Sequence, residues 1–314
     1  MKIIITLFLA LTAMSANAQI LFRVSGNHLK EPSYIMGSIH TIPDTVIEKM
    51  PAYLKAEAKC KQFYGEIDAT DTLVTKTLTN RSLEIDTLPE GKNIMDLMTK
   101  DQIELLNTRC KETIQVNFTD STMIGLWNKY PATIATFFDG MIVLQESIKK
   151  YGLDDLGAKF TTKFDYTCLK RAKDQGLKVG QLDETESHKS YVDMMMSTNY
   201  YKNMTIDSLV TFLNNLEEHR QFIANQIESI DRLLKYWYNG DFDGLTIDDT
   251  FVKYVNNLPV LFKDRNMKWL PIMQTAMNEV PTMFIFGVLH LIGDYGIIQE
   301  LRSKGYKVEQ IKSN

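Results

Sequence analysis

Apolar and polar positions along the chain fall into two periodicities. Short apolar or alternating runs at Leu21–Val24, Ser33–Met36, Gln62–Ile67, Lys178–Leu182, Met283–Phe286 and Tyr306–Ile311 predict strands. Ser25-Gly26-Asn27 predicts the turn between the first two. Val46, Ile47, Met50 and Leu54 share one face of a helix expected over Asp44–Lys61, with Asp44 as its N-cap. Helical periodicity runs from about 94 to 175 and again over 190–238, where Asn239-Gly240-Asp241 stops it. A last helix is expected over Asp294–Ser303, ended by Gly305. Strand–helix pairs thus stand at both ends and a helical insert, about 94–240, fills the middle. The pattern predicts an α/β (α+β) fold: one interlocked domain over 19–314 with a central mixed sheet.

The first eighteen residues read differently. Lys2 precedes an almost unbroken apolar run from Ile3 to Met14, and Ala16-Asn17-Ala18 is a small-x-small cleavage site. This is the pattern of a secretory signal, with Gln19 the first mature residue and a periplasmic or extracellular destination. The competing reading, an N-terminal anchor, needs a longer run to span a bilayer comfortably. No later segment has the uninterrupted apolar length of a membrane span. Cys60, Cys110 and Cys168 allow at most one disulfide, and three buried thiols fit equally well.

Candidate chemistry comes from an internal repeat. Tyr34-Ile35-Met36-Gly37-Ser38-Ile39-His40 and Phe284-Ile285-Phe286-Gly287-Val288-Leu289-His290 align at an offset of 250, and Ile42/Ile292 and Asp44/Asp294 extend the match. Each copy is an apolar strand, then Gly-x-x-His, then an Asp at an expected helix start. Each histidine then lies just beyond the carboxyl end of its strand, where open α/β sheets gather ligands. If the two halves pair about a pseudo-twofold axis, both imidazoles reach one site. Two imidazoles and a carboxylate suit a divalent metal. Glu66 is the best candidate acid, since a carboxylate in an apolar strand pattern is costly unless paired or ligated. Asp68 would share its face, and Glu184 is a further ligand or general base at a strand end. The plain alternative is a buried histidine hydrogen-bonded to an acid. His28 and His219 read as surface residues, and Met194-Met195-Met196 as core or groove lining.

Composition narrows the classes. With 44% apolar and 24% charged residues, 16 Gly and 8 Pro, collagen-like, coiled-coil and disordered readings are poor. A formal net charge of -4 with dispersed Lys and Arg gives no footprint for nucleic acid. The sequence has no Gly-x-Ser-x-Gly, His-Glu-x-x-His, phosphate loop, Gly-x-Gly-x-x-Gly or Cys-x-x-Cys, which removes support from several common enzyme classes.

At these residues the chain resembles the TraB/GumN family, which is related to the Tiki metalloproteases. Gly37-Ser38-Ile39-His40, Gly287-Val288-Leu289-His290 and Glu66 match the family's paired motifs and early acid. Leu88-Pro89-Glu90-Gly91, Asp165 with Ala172-Lys173, Tyr238-Asn239-Gly240-Asp241 and Arg265-Asn266 with Trp269 carry the likeness along the chain. Glu184-Thr185 falls where relatives tend to have Leu-Glu-Thr, and the extra Asp183 is a departure. The resemblance implies a metal-dependent hydrolase, peptidase-like, acting on a peptide or protein. His40, His290 and Glu66 would hold the metal. Glu184 would move a proton, and Arg265 would steady an oxyanion or bridge a helix to the sheet. Mn and Co are the metals of the Tiki analogy, and the donor types also allow Zn or Fe. The alternatives are a non-catalytic metal-, haem- or peptide-binding regulator, whose Met- and Tyr-rich segments 191–204 and 222–238 could cover an apolar ligand, and a two-His-one-carboxylate iron oxygenase. Asp44 and Asp294 read as helix caps.

Overall fold

The computed structural model describes residues 19–40, 42–77, 87–151, 164–184 and 204–312. The signal-like segment 1–18, the Met194–Met196 cluster and most of the 191–204 segment lie outside these residues. The chain divides into two compact units. The first takes residues 1–74, 157–185 and 231–314, and the second takes 75–156 and 186–230. The expected insert, about 94–240, thus overlaps the second unit, and residues 157–185 belong to the first.

The first unit is built on a six-stranded mixed sheet. Its strands are β1 (Leu21–Gly26), β2 (Ser33–Ser38), β3 (Gln62–Gly65), β4 (Lys178–Gln181), β5 (Thr282–Gly287) and β6 (Tyr306–Gln310). Their order is β4-β3-β5-β2-β1-β6. The run from β4 to β2 is parallel, and β1 is antiparallel to both β2 and β6. All six expected strands are present. β2 is buried throughout and β5 nearly so, as central parallel strands covered on both faces should be.

The helices labelled in this unit are α1 (Pro51–Glu57), α2 (Phe164–Asp174), α3 (Phe242–Ile247), α4 (Asp249–Asn257), α5 (Lys263–Glu279) and α6 (Ile297–Ser303). The expected helix over Asp44–Lys61 is instead a 3-10 turn, Asp44–Lys49, followed by α1. Pro51 explains the break. It has no N–H to donate and drives the preceding Met50 out of helical torsions, to φ -116° and ψ 71°. Pro43, not Asp44, precedes that turn, and Asp44 accepts a hydrogen bond from Thr167. The last helix begins at Ile297 rather than Asp294. Asp294 therefore caps nothing, and Gly296 stands at the N-cap position.

The two repeat copies are neighbours. β2 and β5 pair in parallel with Ile35 opposite Phe284 and Gly37 opposite Phe286, one residue off the sequence offset. Paired residues in a sheet share a face, so equivalent residues of the copies point to opposite faces. A twofold axis along the strands has this effect. Gly37 allows the second copy to close over the first. A Cβ there would lie 2.8 Å from Leu291 Cδ1 and 3.0 Å from Val288 Cγ2. The Gly37 carbonyl accepts from the buried Trp237 indole at 2.6 Å.

The second unit is helical over Lys100–Ile114, Pro131–Tyr151 and Ile206–Asn214, with the first part of Leu216–Asn239. Its own core includes Leu106, Cys110, Phe118, Ile134, Phe138, Leu209 and Leu213. His219 is not the surface residue expected. It is half-buried, 2.5 Å from Asp139 and bracketed by Phe212 and Phe222. Glu217 and Glu218 face water, whereas the His219 ring and Arg220 are half-buried against neighbouring side chains. His28 is exposed. The three cysteines are buried free thiols. Among the described residues no helix is long and apolar enough to cross a membrane.

The tight seat at Gly37 has a direct consequence. Gly37→Ala should cost about 1–3 kcal/mol through overpacking against Val288 and Leu291. Urea unfolding checks this, and an unmoved midpoint would show that the seat is not tight.

Candidate functional site

The site lies in the sheet-bearing unit, at the carboxyl ends of β2, β3 and β5. Both Gly-x-x-His turns open there. His40 follows β2, and His290 sits in the 3-10 turn Val288–Leu291 after β5. Glu66 follows β3, whose neighbour β5 carries Gly287. The three expected metal ligands are therefore brought together. His40 Nε2 is 3.9 Å and His290 Nε2 is 4.0 Å from the same oxygen, Glu66 Oε1.

Each imidazole has its outer nitrogen fixed. His40 Nδ1 donates to Asp165 Oδ2 at 2.8 Å, from the first turn of α2. His290 Nδ1 is 2.7 Å from Asn266 Oδ1. The Asn266 amide nitrogen already donates to the main-chain oxygens of His290 and Tyr295, so its side-chain oxygen must accept. His290 therefore carries its proton on Nδ1 and presents a lone pair at Nε2. That lone pair accepts from Arg265 Nη1 at 3.2 Å.

α5 supplies the rest. Arg265, Asn266, Trp269, Leu270 and Met273 form its buried stripe at helical spacing. The Arg265 guanidinium donates to Glu66 Oε2 at 2.5 Å and to Asp183 Oδ2 at 2.8 Å, and lies 4.6 Å from the Trp269 ring. Trp269 donates to the other oxygen of Asp183 at 2.6 Å. On the other side of the site, the Gly287 N–H donates to Glu66 Oε1 at 2.9 Å.

The expected proton carrier, Glu184, is exposed. Its neighbour Asp183 is the carboxylate turned inward, its backbone N–H continuing the β3–β4 ladder to the Glu66 carbonyl. The extra Asp of the Leu-Asp-Glu-Thr segment was the available signal. Asp68 also stands outside the cluster. It closes its own turn by accepting from Thr70, because β3 has already ended at Gly65. Arg265 bridges α5 to the sheet ends, the second of its two expected roles. The contributions of Asp165 and Asn266 were not assigned from sequence, which placed them only in family-like helices.

The electrostatics follow from these contacts. Burial pushes the Glu66 carboxyl up, but Arg265 first, then the two histidines and the Gly287 N–H, hold it well below the usual carboxylate range. Burial lowers His290 to about 3, since Trp269, Phe262 and Phe286 surround its ring and Arg265 lies beside it. His40 moves the other way, to about 9, chiefly through its hydrogen bond to Asp165, with Glu66 adding to it. Its side chain is 64% exposed.

Whether this cluster fits a divalent cation can be judged from three features. Both inner nitrogens face one ionised oxygen, both outer nitrogens are held by acceptors, and Gly287 borders the space between them. A Cβ on Gly287 would come within 3.4 Å of Glu66 Oε1, 3.7 Å of His290 Cδ2 and 3.8 Å of His40 Nε2. As placed, no group of three or more His, Cys, Asp or Glu among the described residues has metal-holding geometry. Arg265 takes up the His290 lone pair in this arrangement. The donor types and the cradle fit a cation, at the cost of that one hydrogen bond.

Fold and site together define a mixed α/β protein with paired Gly-x-x-His turns converging on a glutamate. Residues 20–310 match the TraB/PrgY/gumN family, and the chain belongs to it. No match was found among curated proteins or among solved structures.

The two histidines should pull stability in opposite directions with pH. A raised pKa at His40 contributes stability that is present below 6.5 and lost as pH rises toward 9. A lowered pKa at His290 removes stability as pH falls below 6.5 toward 3, where the unfolded chain takes up the proton first. NMR titration of chelator-treated protein should show one imidazole ionising near 9, and another still neutral at pH 5. Titration of both His40 and His290 near 6.5 would contradict the geometry.

Proposed function

We propose that this chain is an exported metal-dependent hydrolase acting on peptides or proteins. The observation that carries the reading is the convergence of His40 Nε2 and His290 Nε2 on Glu66 Oε1, with both outer nitrogens tied to Asp165 and Asn266. Metal-binding histidines usually have such outer partners, which fix the tautomer and ring orientation. On this reading His40, His290 and Glu66 hold the cation, and the nitrogen–oxygen donor set suits Mn, Co or Zn.

Charge supports it. Around the cluster Arg265 pairs with two carboxylates, Glu66 and Asp183, and a third, Asp165, accepts from His40. Carboxylates outnumber the guanidinium in the cluster. The field that raises the proton affinity of His40 also favours a dication, so metal loading should release a proton. When bound, such an ion lowers the pKa of water from 15.7 toward about 7, which makes a nucleophile available at neutral pH.

The chain's own residues prepare this chemistry. Asp165 and Asn266 orient the two imidazoles. Arg265 holds Glu66 ionised and, with Asp183, pins it to α5. Trp269 and Phe262 keep water from the buried side of His290. The analogy of the TraB/GumN family with the Tiki proteases supports a peptide bond as the target.

Metal content tests the reading. Purified protein loaded with Mn, Co or Zn should hold about one ion per chain. Folded His40→Ala and His290→Ala variants should bind at least ~10-fold more weakly, and Gly287→Ala should lose the ion without losing the fold. Equal metal content in wild type and variants would overturn the site. Metal binding with no cleavage of any peptide library would favour the non-catalytic alternative.

A further inference from the structure

Asp183 is not one of the expected metal ligands, yet it is 6% exposed and lies against the Arg265 guanidinium. That guanidinium divides its donors between two sides. Toward Asp183 it offers Nη2 at 2.8 Å and Nε at 3.2 Å, both to Oδ2. Toward the histidine cluster it offers Nη2 to Glu66 Oε2 and Nη1 to His290 Nε2, the latter at 3.2 Å. His290 carries its proton on Nδ1, so the Nη1 contact takes the lone pair that a cation would need. A divalent ion and the guanidinium therefore compete for one nitrogen.

Asp183 is held independently of that competition. Trp269 Nε1 donates to its Oδ1 at 2.6 Å, and its own backbone N–H donates to the Glu66 carbonyl at 2.8 Å. The guanidinium carbon lies 4.6 Å from the Trp269 ring centroid, so the planar group can shift along the ring and stay covered. Its Nε–Nη2 edge is the one turned to Asp183, and Nη1 points away from that edge. A small rotation about the edge frees His290 while the charge-assisted bonds to Asp183 stay made. A neutral amide at position 183 would hold the guanidinium less strongly and leave it on Glu66 and His290.

We propose that Asp183 is a positioning residue: it draws Arg265 off His290 Nε2 and so opens the cluster to a divalent cation. The inference rests on the metal-site reading above. Arg265 is bonded to His290 before the ion enters and is retained on Asp183 afterwards. Asp183 thereby governs occupancy of the site without touching the ion.

Calorimetric titration of the chelator-treated protein with zinc ion alone tests this in a double-mutant cycle. Asp183→Asn should weaken zinc binding about tenfold. In the Arg265→Gln background, with no guanidinium to withdraw, the same substitution should change binding by less than about twofold. An equal factor in both backgrounds would mean that Asp183 acts on the ion through its charge alone, and would overturn the assignment. Crystal structures of chelator-treated and zinc-loaded wild-type protein give a second test that needs no variant to fold. On loading, Arg265 Nη1 should move out of hydrogen-bond reach of His290 Nε2, beyond ~3.5 Å, while Nη2 stays on Asp183. A guanidinium that leaves Asp183 as well, or stays on His290 beside a bound ion, would contradict the inference. Failure of the wild-type protein to hold zinc would remove the metal-site reading itself, and this inference with it.

Discussion

The site depends on one buried guanidinium. Arg265 is 8% exposed, yet it reaches Glu66, Asp183 and His290 at once. Without it, two carboxylates would face each other at the ends of β3 and β4, where burial makes an unpaired charge expensive. With it, Glu66 stays ionised and its second oxygen stays turned toward both histidines. The indole of Trp269 closes the arrangement by donating to Asp183 and shielding the guanidinium face. One turn of helix, from Arg265 to Trp269, therefore sets the charge state and the orientation of the whole cluster.

The backbone solves the complementary problem of bringing two distant segments to the same point. Parallel pairing of β2 with β5 places both Gly-x-x-His turns at one sheet end. The one-residue register difference turns equivalent positions to opposite faces, so the two histidines receive different environments. His40 ends exposed and bonded to a carboxylate, whereas His290 ends buried among aromatic rings and bonded to an amide. The same motif thus yields one basic and one neutral imidazole. The two glycines divide the work. Gly37 lets the second turn pack on the first, and Gly287 borders the space between the inward nitrogens and donates its N–H to Glu66.

Much of this was legible from the chain alone, for definite reasons. Buried parallel strands leave continuous apolar runs, so all six strands could be read. A repeat of strand, glycine and histidine marks its own geometry, and an acid ending an apolar strand asks for a partner; hence His40, His290 and Glu66 could be named. The inward-turned carboxylate beside Arg265 could not be read. Leu182, Asp183 and Glu184 follow β4 in succession, and only the three-dimensional ladder shows that Asp183 turns inward. Asn266 acts on a histidine 24 residues away, a relation with no periodic signature. The helix over Asp44–Lys61 was overextended because its apolar spacing outweighed Pro51. His219 was misplaced because its sequence neighbours are charged while its spatial neighbours are Phe212, Phe222 and Asp139.

The most direct measurement is the stability of Arg265→Gln, a substitution that keeps a polar side chain but removes the charge. If the guanidinium is what holds Glu66 and Asp183 together, urea unfolding should show a loss of about 3–5 kcal/mol, the range for breaking a buried ion pair from one side. A loss below ~1 kcal/mol, as for an exposed pair, would contradict the claim that the site is organised around this residue.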